Sequence, residues 1–176
     1  MLTYLDSILS LETVIWLLPV TFMLHDFEEI IFVEAWFRRK YERAAPLVPA
    51  RFRRTFDEMS RTTAAQFSIP VLMQFILYAL ACWLAVDHEW YGLFVGFNAL
   101  LLLHVFMHVG QSVVLRTYAL GVGTALCITL PYSLYVFYRL LDEGAIRYGD
   151  IAASLPYGLI TVAVVLLGHK LAAKVV

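Results

Sequence analysis

The amino-acid sequence predicts an all-α membrane protein in which about five helices form one bundle and a single domain over residues 1–176. Two observations lead to this fold class. The chain is 61% hydrophobic and only 15% charged, with a mean hydropathy of +0.76, whereas soluble domains are about 45–50% apolar and about 25% charged. Apolar runs of about 20 residues, enough to cross a bilayer, also recur along the chain. This composition excludes disorder and a coiled coil, and the net charge of -1 excludes the basic field of a nucleic-acid binder.

Five segments have the length and composition of membrane spans. The first covers residues 8–37 and is unusual, because it is long and contains several acidic side chains. A re-entrant or interfacial helix is the alternative for this segment. The other four contain few charged residues, and they cover residues 63–86, 91–115, 118–140 and 151–171.

Basic residues are concentrated between the first and second predicted spans, in residues 38–62. Of the thirteen Lys and Arg residues, only Arg139 and Arg147 fall on the opposite side of the predicted bundle. Because cytoplasmic loops of membrane proteins carry the excess of Lys and Arg, we expect residues 38–62 to form a cytoplasmic loop. The N-terminus then lies outside a bacterial inner membrane, and the C-terminus lies in the cytoplasm.

The same basic segment contains aromatic residues, among them Phe52 and Phe56. A mixture of basic and aromatic residues is typical of a helix that lies on the anionic inner leaflet. Recruitment of an acidic partner or of a lipid headgroup is the alternative interpretation.

The first predicted span contains a group of ionisable residues, namely His25, Asp26, Glu28 and Glu29. One acidic residue in the middle of a membrane helix costs about 2.5–3.5 kcal/mol on insertion scales, so three cost roughly 8–10 kcal/mol when charged and unpaired. No Lys or Arg is predicted at the same depth to offset this cost. Histidine, bound protons or a metal cation are the remaining partners.

The third predicted span supplies histidines at a matching depth. His104, His108 and Gln111 are separated by four and three residues, so they share one face of a helix. Glu29 lies nine residues before Arg38, and His108 lies eight residues before the next basic residue. At 1.5 Å per residue, both polar groups are about 12–14 Å from the basic end of their helices. We therefore expect one buried site between the first and third helices.

The residue types at this site suit a metal ion. Histidine nitrogen and carboxylate oxygen are ordinary zinc ligands, and catalytic zinc keeps three protein ligands and a water. The candidate ligands are His25, Glu28, Glu29, His104 and His108. One of the two glutamates is left to act as general base on the bound water. We expect zinc first, and second iron, which two histidines and a carboxylate also bind.

Three further polar residues are candidates for supporting roles. Asp26 and Gln111 are expected to orient ligands through hydrogen bonds from outside the coordination sphere. Asn98 lies about 9 Å further toward the outside than His104, where it lines an entrance to the site or bonds to a neighbouring helix.

The run His25-Asp26-Phe27-Glu28-Glu29 resembles the motif that gives the HXXEE-domain family of small bacterial membrane proteins its name. Three later segments resemble the rest of that family's pattern, namely residues 34–36, 108–118 and 121–124. The likeness covers most of the chain up to Pro131. The family has no established function, so the resemblance implies where the site lies and not which reaction it performs.

A looser resemblance is to the intramembrane CAAX-type proteases, which place a Glu-Glu pair on one span and histidines on later spans. Glu28 and Glu29 match that pair, and His104 and His108 match the later histidines. Val33 stands where that family has an arginine. Membrane hydrolases that bind zinc through spaced histidines, such as the alkaline ceramidases, are similar in their chemistry alone.

These patterns lead to an expected function. We expect a membrane-embedded, metal-dependent enzyme, a zinc hydrolase that acts on a lipid-like amide or ester. Three alternatives stay open: an iron-dependent membrane oxygenase or hydroxylase, a metal-free glutamate/histidine hydrolase similar to an intramembrane protease, and a non-enzymatic protein that binds or transports a metal or protons. The bilayer and an amphiphilic substrate are the expected partners, and a homodimer is compatible with each alternative.

Overall fold

The computed structural model describes residues 2–176, and this part of the chain contains helices and turns but no β-strand. The helices are α1 (Leu2–Ile8), α2 (Leu11–Ala44), α3 (Ala50–Met59), α4 (Ala64–Asp87), α5 (Gly92–Leu115), α6 (Val122–Thr124), α7 (Leu130–Asp142) and α8 (Tyr148–Val175). A π-helical segment, Ala125–Thr129, joins α6 to α7. The predicted all-α fold class is confirmed.

Four helical stretches are long and apolar enough to cross a membrane, namely α4, α5, Val122–Asp142 and α8. Their ends differ by at most four residues from those of the last four predicted spans. Helix α2 has 34 residues and is therefore about 51 Å long, but it contains more charged residues than these four. The protein is thus a helical membrane protein.

The helix of the first predicted span begins and ends later than the sequence predicts. The helix is interrupted at Ser10. The side chain of Ser10 accepts a hydrogen bond from the backbone N–H of Thr13 at 3.1 Å and so caps α2. At its other end α2 extends seven residues beyond the predicted end, and α3 follows it. The segment predicted as a loop, residues 38–62, is thus mostly helical. Aromatic rings such as Tyr41 and Phe56 stack between α2 and α3 and stabilise this arrangement.

Small residues allow the helices of the bundle to pack closely. Helix α8 packs against α4 and α5, and α4 also packs against α2. A Cβ atom on Gly158 would lie only 2.7 Å from the backbone oxygen of Gly96, a close approach that is typical of membrane helix contacts. The largest fully buried apolar side chains are Ile15, Leu18, Phe94, Phe97 and Leu140.

Arg139 ties the N-terminal end of the chain to α7. Its guanidinium donates hydrogen bonds to the Glu143 carboxylate, to the Leu9 carbonyl at 2.9 Å and to the Tyr135 hydroxyl at 2.9 Å. It also lies 3.6 Å from the carboxylate of Asp6. We call these residues the arginine network.

Residues 116–121 turn the chain back from α5 toward α2. Arg116 and Gly121 have positive φ angles of 49° and 81°. Such an angle is unusual for Arg116, because it has a side chain. The indole N–H of Trp36 donates to the Tyr118 carbonyl at 2.7 Å and fastens the turn to α2. The turn places Gly121 directly against the side chains of Glu29, His108 and His25.

Candidate metal centre

Four ionisable side chains from α2 and α5 converge inside the bundle. His25 and Glu29 of α2 and His104 and His108 of α5 each place one nitrogen or oxygen atom within 4.8 Å of those of the others. His25 and His108 are only 1% and 2% exposed. The structure therefore brings together the two polar groups that residue counting placed at one depth. We call these four residues the histidine cluster.

The position of the proton on His25 follows from its hydrogen bonds. The Thr124 hydroxyl donates to Glu28 Oε2 at 2.6 Å, and a hydroxyl has one proton to donate. The same hydroxyl oxygen lies 3.0 Å from His25 Nδ1, so it accepts there and Nδ1 carries the proton. In neutral imidazole, Nε2 then has a free lone pair. This Nε2 is buried without a hydrogen-bond partner in the part of the chain that the structure describes.

Glu28 lies beside the histidine cluster and is held by four hydrogen bonds. Its Oε1 accepts from the Tyr118 hydroxyl at 2.5 Å and from the Gly121 backbone N–H at 3.2 Å. Its Oε2 accepts from the backbone N–H of Thr124 at 3.0 Å and from the hydroxyl of the same residue. The carboxylate is thus fully engaged, and Glu29 is the glutamate that lies within the histidine cluster.

Two distances describe the inside of the histidine cluster. The Nε2 atoms of His104 and His108 are 2.8 Å apart, and Glu29 Oε1 lies 3.5 Å from His108 Nε2. The other nitrogen of His108, Nδ1, is buried with no partner among residues 2–176. Three imidazole nitrogens and one carboxylate oxygen form a donor set that zinc accepts in proteins.

Gly121 covers the histidine cluster with its backbone alone. A Cβ atom at this position would lie 2.6 Å from Glu29 Oε1, 2.8 Å from His108 Cε1 and 3.0 Å from His25 Cε1. Its φ of 81° also lies in the left-handed region that glycine enters at little cost. The position therefore requires glycine for two independent reasons, space and backbone conformation.

The three predicted supporting residues lie outside the histidine cluster. Asp26 is buried on α2, and Asn98 is fully buried and donates to the Ser133 carbonyl of α7 at 3.2 Å. Asn98 therefore joins two helices, which was one of its two predicted roles. Gln111 is exposed, although it shares a helix face with the histidines, because it lies near the end of α5 where neighbouring residues are also exposed.

Three residues that were not among the predicted site residues complete the surroundings of the cluster. Tyr118 and Thr124 hold Glu28, and Gly121 contacts the cluster directly. None of them is an ordinary metal ligand, so a search for ligand types does not find them. Their only signal was their position in the later segments of the HXXEE-like pattern.

The sequence was also compared with known proteins. The profile for proteins of unknown function with the HXXEE motif matches residues 16–136, a range that includes the whole histidine cluster and its supporting residues. No curated protein and no solved structure matches the chain. The chain therefore belongs to the HXXEE family, whose function is unknown.

Proposed function

We propose that the protein is a membrane-embedded zinc hydrolase that cleaves an amide or ester bond of a lipid-like substrate. The observation that carries this proposal is the buried, unpartnered Nε2 of His25. The imidazole of His25 packs with its ring centre 5.4 Å and 4.9 Å from the ring centres of His104 and His108. An unsatisfied buried acceptor costs about 1–3 kcal/mol, and a bound cation removes that cost.

Each residue of the cluster has a role in this proposal. His25, His104 and His108 would hold the zinc ion, which would supply an acidic bound water and a Lewis acid for the substrate carbonyl. Glu29 would accept a proton from water and pass it to the leaving group. Thr124 and Glu28 keep His25 in the tautomer that leaves Nε2 free to bind metal.

The surroundings of the cluster support a lipid-like substrate. His104 is only partly buried, and three residues next to it on α5 are large, apolar and 52–60% exposed, namely Leu103, Phe106 and Met107. In a membrane, this face of α5 contacts acyl chains. An amphiphilic substrate would therefore reach the histidine cluster sideways, from the bilayer.

We infer that the protein lies in the cytoplasmic membrane of a bacterium with its N-terminus outside. Helix α2 and the four apolar stretches make five crossings, an odd number, which puts the two termini on opposite sides. The basic segment that includes α3 then faces the cytoplasm, in agreement with the excess of Lys and Arg in cytoplasmic loops. Cysteine accessibility at Ser7→Cys and Val175→Cys tests this orientation.

Elemental analysis of the detergent-purified protein tests the metal. We expect about one zinc ion per chain in the wild type and in His88→Ala, because His88 is exposed and outside the histidine cluster. His25→Ala should lose the metal and keep its helical circular dichroism. Stoichiometric iron would overturn zinc in favour of oxygen-dependent chemistry. A folded wild-type protein without any metal, purified free of chelators, would overturn the metal centre.

Turnover of fluorogenic lipid esters and amides tests the hydrolase assignment separately. Glu29→Gln should keep the zinc and lose about 10²–10⁴-fold in rate, the usual contribution of a general base. Glu12→Gln is the matched control, because Glu12 is an exposed residue of the same helix. Equal rates in the two variants would contradict the role of Glu29.

One distance favours a second candidate, a metal-free glutamate/histidine hydrolase. The separation of 2.8 Å between Nε2 of His104 and Nε2 of His108 is that of a hydrogen bond, which needs a proton on one of the two nitrogens. In such a site, Glu29 and the histidine pair would activate water without a cation. This candidate requires activity that survives chelators.

A further inference from the structure

A second polar feature lies at the C-terminal end of α2, away from the histidine cluster. There α2 and the turn of residues 60–63, between α3 and α4, surround a cavity of about 560 Å³. Three arginines line it, namely Arg38, Arg39 and Arg61. We call it the basic cavity.

The three arginines of the basic cavity have no acidic partner. None of them forms a salt bridge with any residue from 2 to 176. Two carboxylates also line the cavity, but Glu34 accepts the backbone N–H of Ala64 at 2.9 Å and so caps α4. Glu42 is the other. The lining therefore keeps a net positive charge.

The remaining wall of the basic cavity is aromatic. Phe37 and Tyr41 line it, and the Tyr41 ring stacks on Phe56 of α3 with 5.7 Å between ring centres. On the same amphipathic helix α3, Phe52 is 51% exposed. Because the apolar helix α4 begins at Ala64, directly after the turn, the cavity lies where a membrane helix meets water. Aromatic and basic side chains are typical of this level of a membrane.

We propose that the basic cavity binds the headgroup of an anionic phospholipid, with the phosphate held by Arg38, Arg39 and Arg61. Guanidinium groups bind phosphate oxygens through paired hydrogen bonds. The cavity volume lies in the range of about 300–1,000 Å³ that is usual for small-molecule sites, and its aromatic wall suits the glycerol and upper acyl part of a lipid. Basic clusters beside membrane helices recognise anionic lipids through the same charges. This proposal is independent of the metal centre.

Thermal unfolding of the full chain in a neutral detergent tests the proposal with three added probes. These are phosphatidylglycerol, phosphatidylcholine and inorganic phosphate. Phosphatidylglycerol should raise the unfolding temperature in a saturable way, and the other two should not. The variant Arg38→Gln/Arg61→Gln should bind phosphatidylglycerol at least about thirtyfold more weakly, because two charge-assisted contacts with the phosphate are lost.

A matched control separates a site from a general attraction to negative charge. The variant Arg51→Gln/Arg54→Gln loses the same charge from α3, but neither residue lines the cavity, so its affinity should stay within about threefold of the wild type. Equal losses in the two variants would overturn the site in favour of a diffuse field. Equal shifts with inorganic phosphate would reassign the cavity to a soluble anion, and equal shifts with phosphatidylcholine would remove the requirement for charge. The zinc content of both variants should match the wild type.

Discussion

The arginine network and the histidine cluster are both groups of polar side chains around a buried residue in an apolar chain, but they differ in how fully their hydrogen bonds are made. In the network, Arg139 donates to Glu143, to the Leu9 carbonyl and to Tyr135. The Tyr135 hydroxyl in turn donates to Asp6 at 2.8 Å. Opposite charges meet, and the network is complete from the chain's own groups.

The histidine cluster lacks this completeness. One nitrogen of His25 and one of His108 are buried without a partner in the described part of the chain, while Glu28, directly beside the cluster, accepts four hydrogen bonds. The comparison teaches that burial alone does not separate the two kinds of polar group. A buried unpaired nitrogen such as Nε2 of His25, next to other ionisable side chains, indicates a ligand from outside the chain, and paired atoms indicate a structural role.

Disruption of the arginine network should have the largest effect on stability. Arg139→Met removes a guanidinium from a residue that is 5% exposed and leaves Asp6 and Glu143 without their cation. The expected cost is about 3 kcal/mol, the lower end for a buried pair, because Glu143 is partly exposed. The unfolding temperature, followed by circular dichroism, should fall by about 6–12 °C. Loss of zinc from the folded variant would contradict the separation of the two groups.

Removal of a ligand should affect the metal far more than the fold. We expect His108→Ala to weaken zinc binding by more than about 100-fold, which exceeds the usual effect of a residue outside the coordination sphere. Competition with a chromogenic chelator measures this change. In the presence of a chelator the variant should still fold, with its unfolding temperature lowered only by the cavity that the lost imidazole leaves. A strong destabilisation without zinc would make His108 structural.

The hydroxyl of Thr124 offers a smaller and more specific test. Thr124→Val keeps the shape of the side chain and removes the hydroxyl that links His25 to Glu28. Zinc affinity should fall by about 10–100-fold, and Thr124→Ser should restore most of it. If Thr124→Val and Thr124→Ser bind zinc equally, the hydroxyl does not set the tautomer of His25.

The smallest effect on zinc is expected at Gly121, where a matched glycine exists. Gly121 and Gly144 both have a positive φ, 81° and 71°, but a Cβ atom at Gly144 would meet no atom within 4 Å. Both alanine variants should lose about 1–2 kcal/mol of stability through backbone strain. Only Gly121→Ala should also weaken zinc binding, by about tenfold, because its methyl group presses on the imidazole rings of His108 and His25. Equal zinc affinity in the two variants would show that Gly121 serves the turn alone.

Much of the fold was predictable because membrane helices have a fixed rise and need long apolar runs. The same regularity allowed Glu29 and His108 to be placed at one depth by counting residues, and the structure brings these two side chains together. Periodicity also identified the helix face that carries the histidines. It could not indicate where along α5 that face ceases to be covered by neighbouring helices. The exposure of Gln111 was therefore not predicted.

The different roles of Glu28 and Glu29 were not predictable. The two residues are adjacent, and both lie on the polar side of α2, so the sequence pattern around them does not distinguish one from the other. They differ because residues 116–121 return to α2 and supply donors to one carboxylate only. That return depends on positive φ angles at Arg116 and Gly121, which a tertiary context selects and a hydropathy pattern does not report.

The unbroken length of α2 has a mechanical consequence. This helix runs from Leu11 to Ala44 and contributes His25 and Glu29 to the histidine cluster. About 13 Å beyond Glu29, it also contributes Arg38 to the basic cavity. A helix transmits a tilt or an axial shift along its whole length. A change in bilayer thickness or lateral pressure that tilts α2 therefore reaches the geometry of the cluster and of the cavity together.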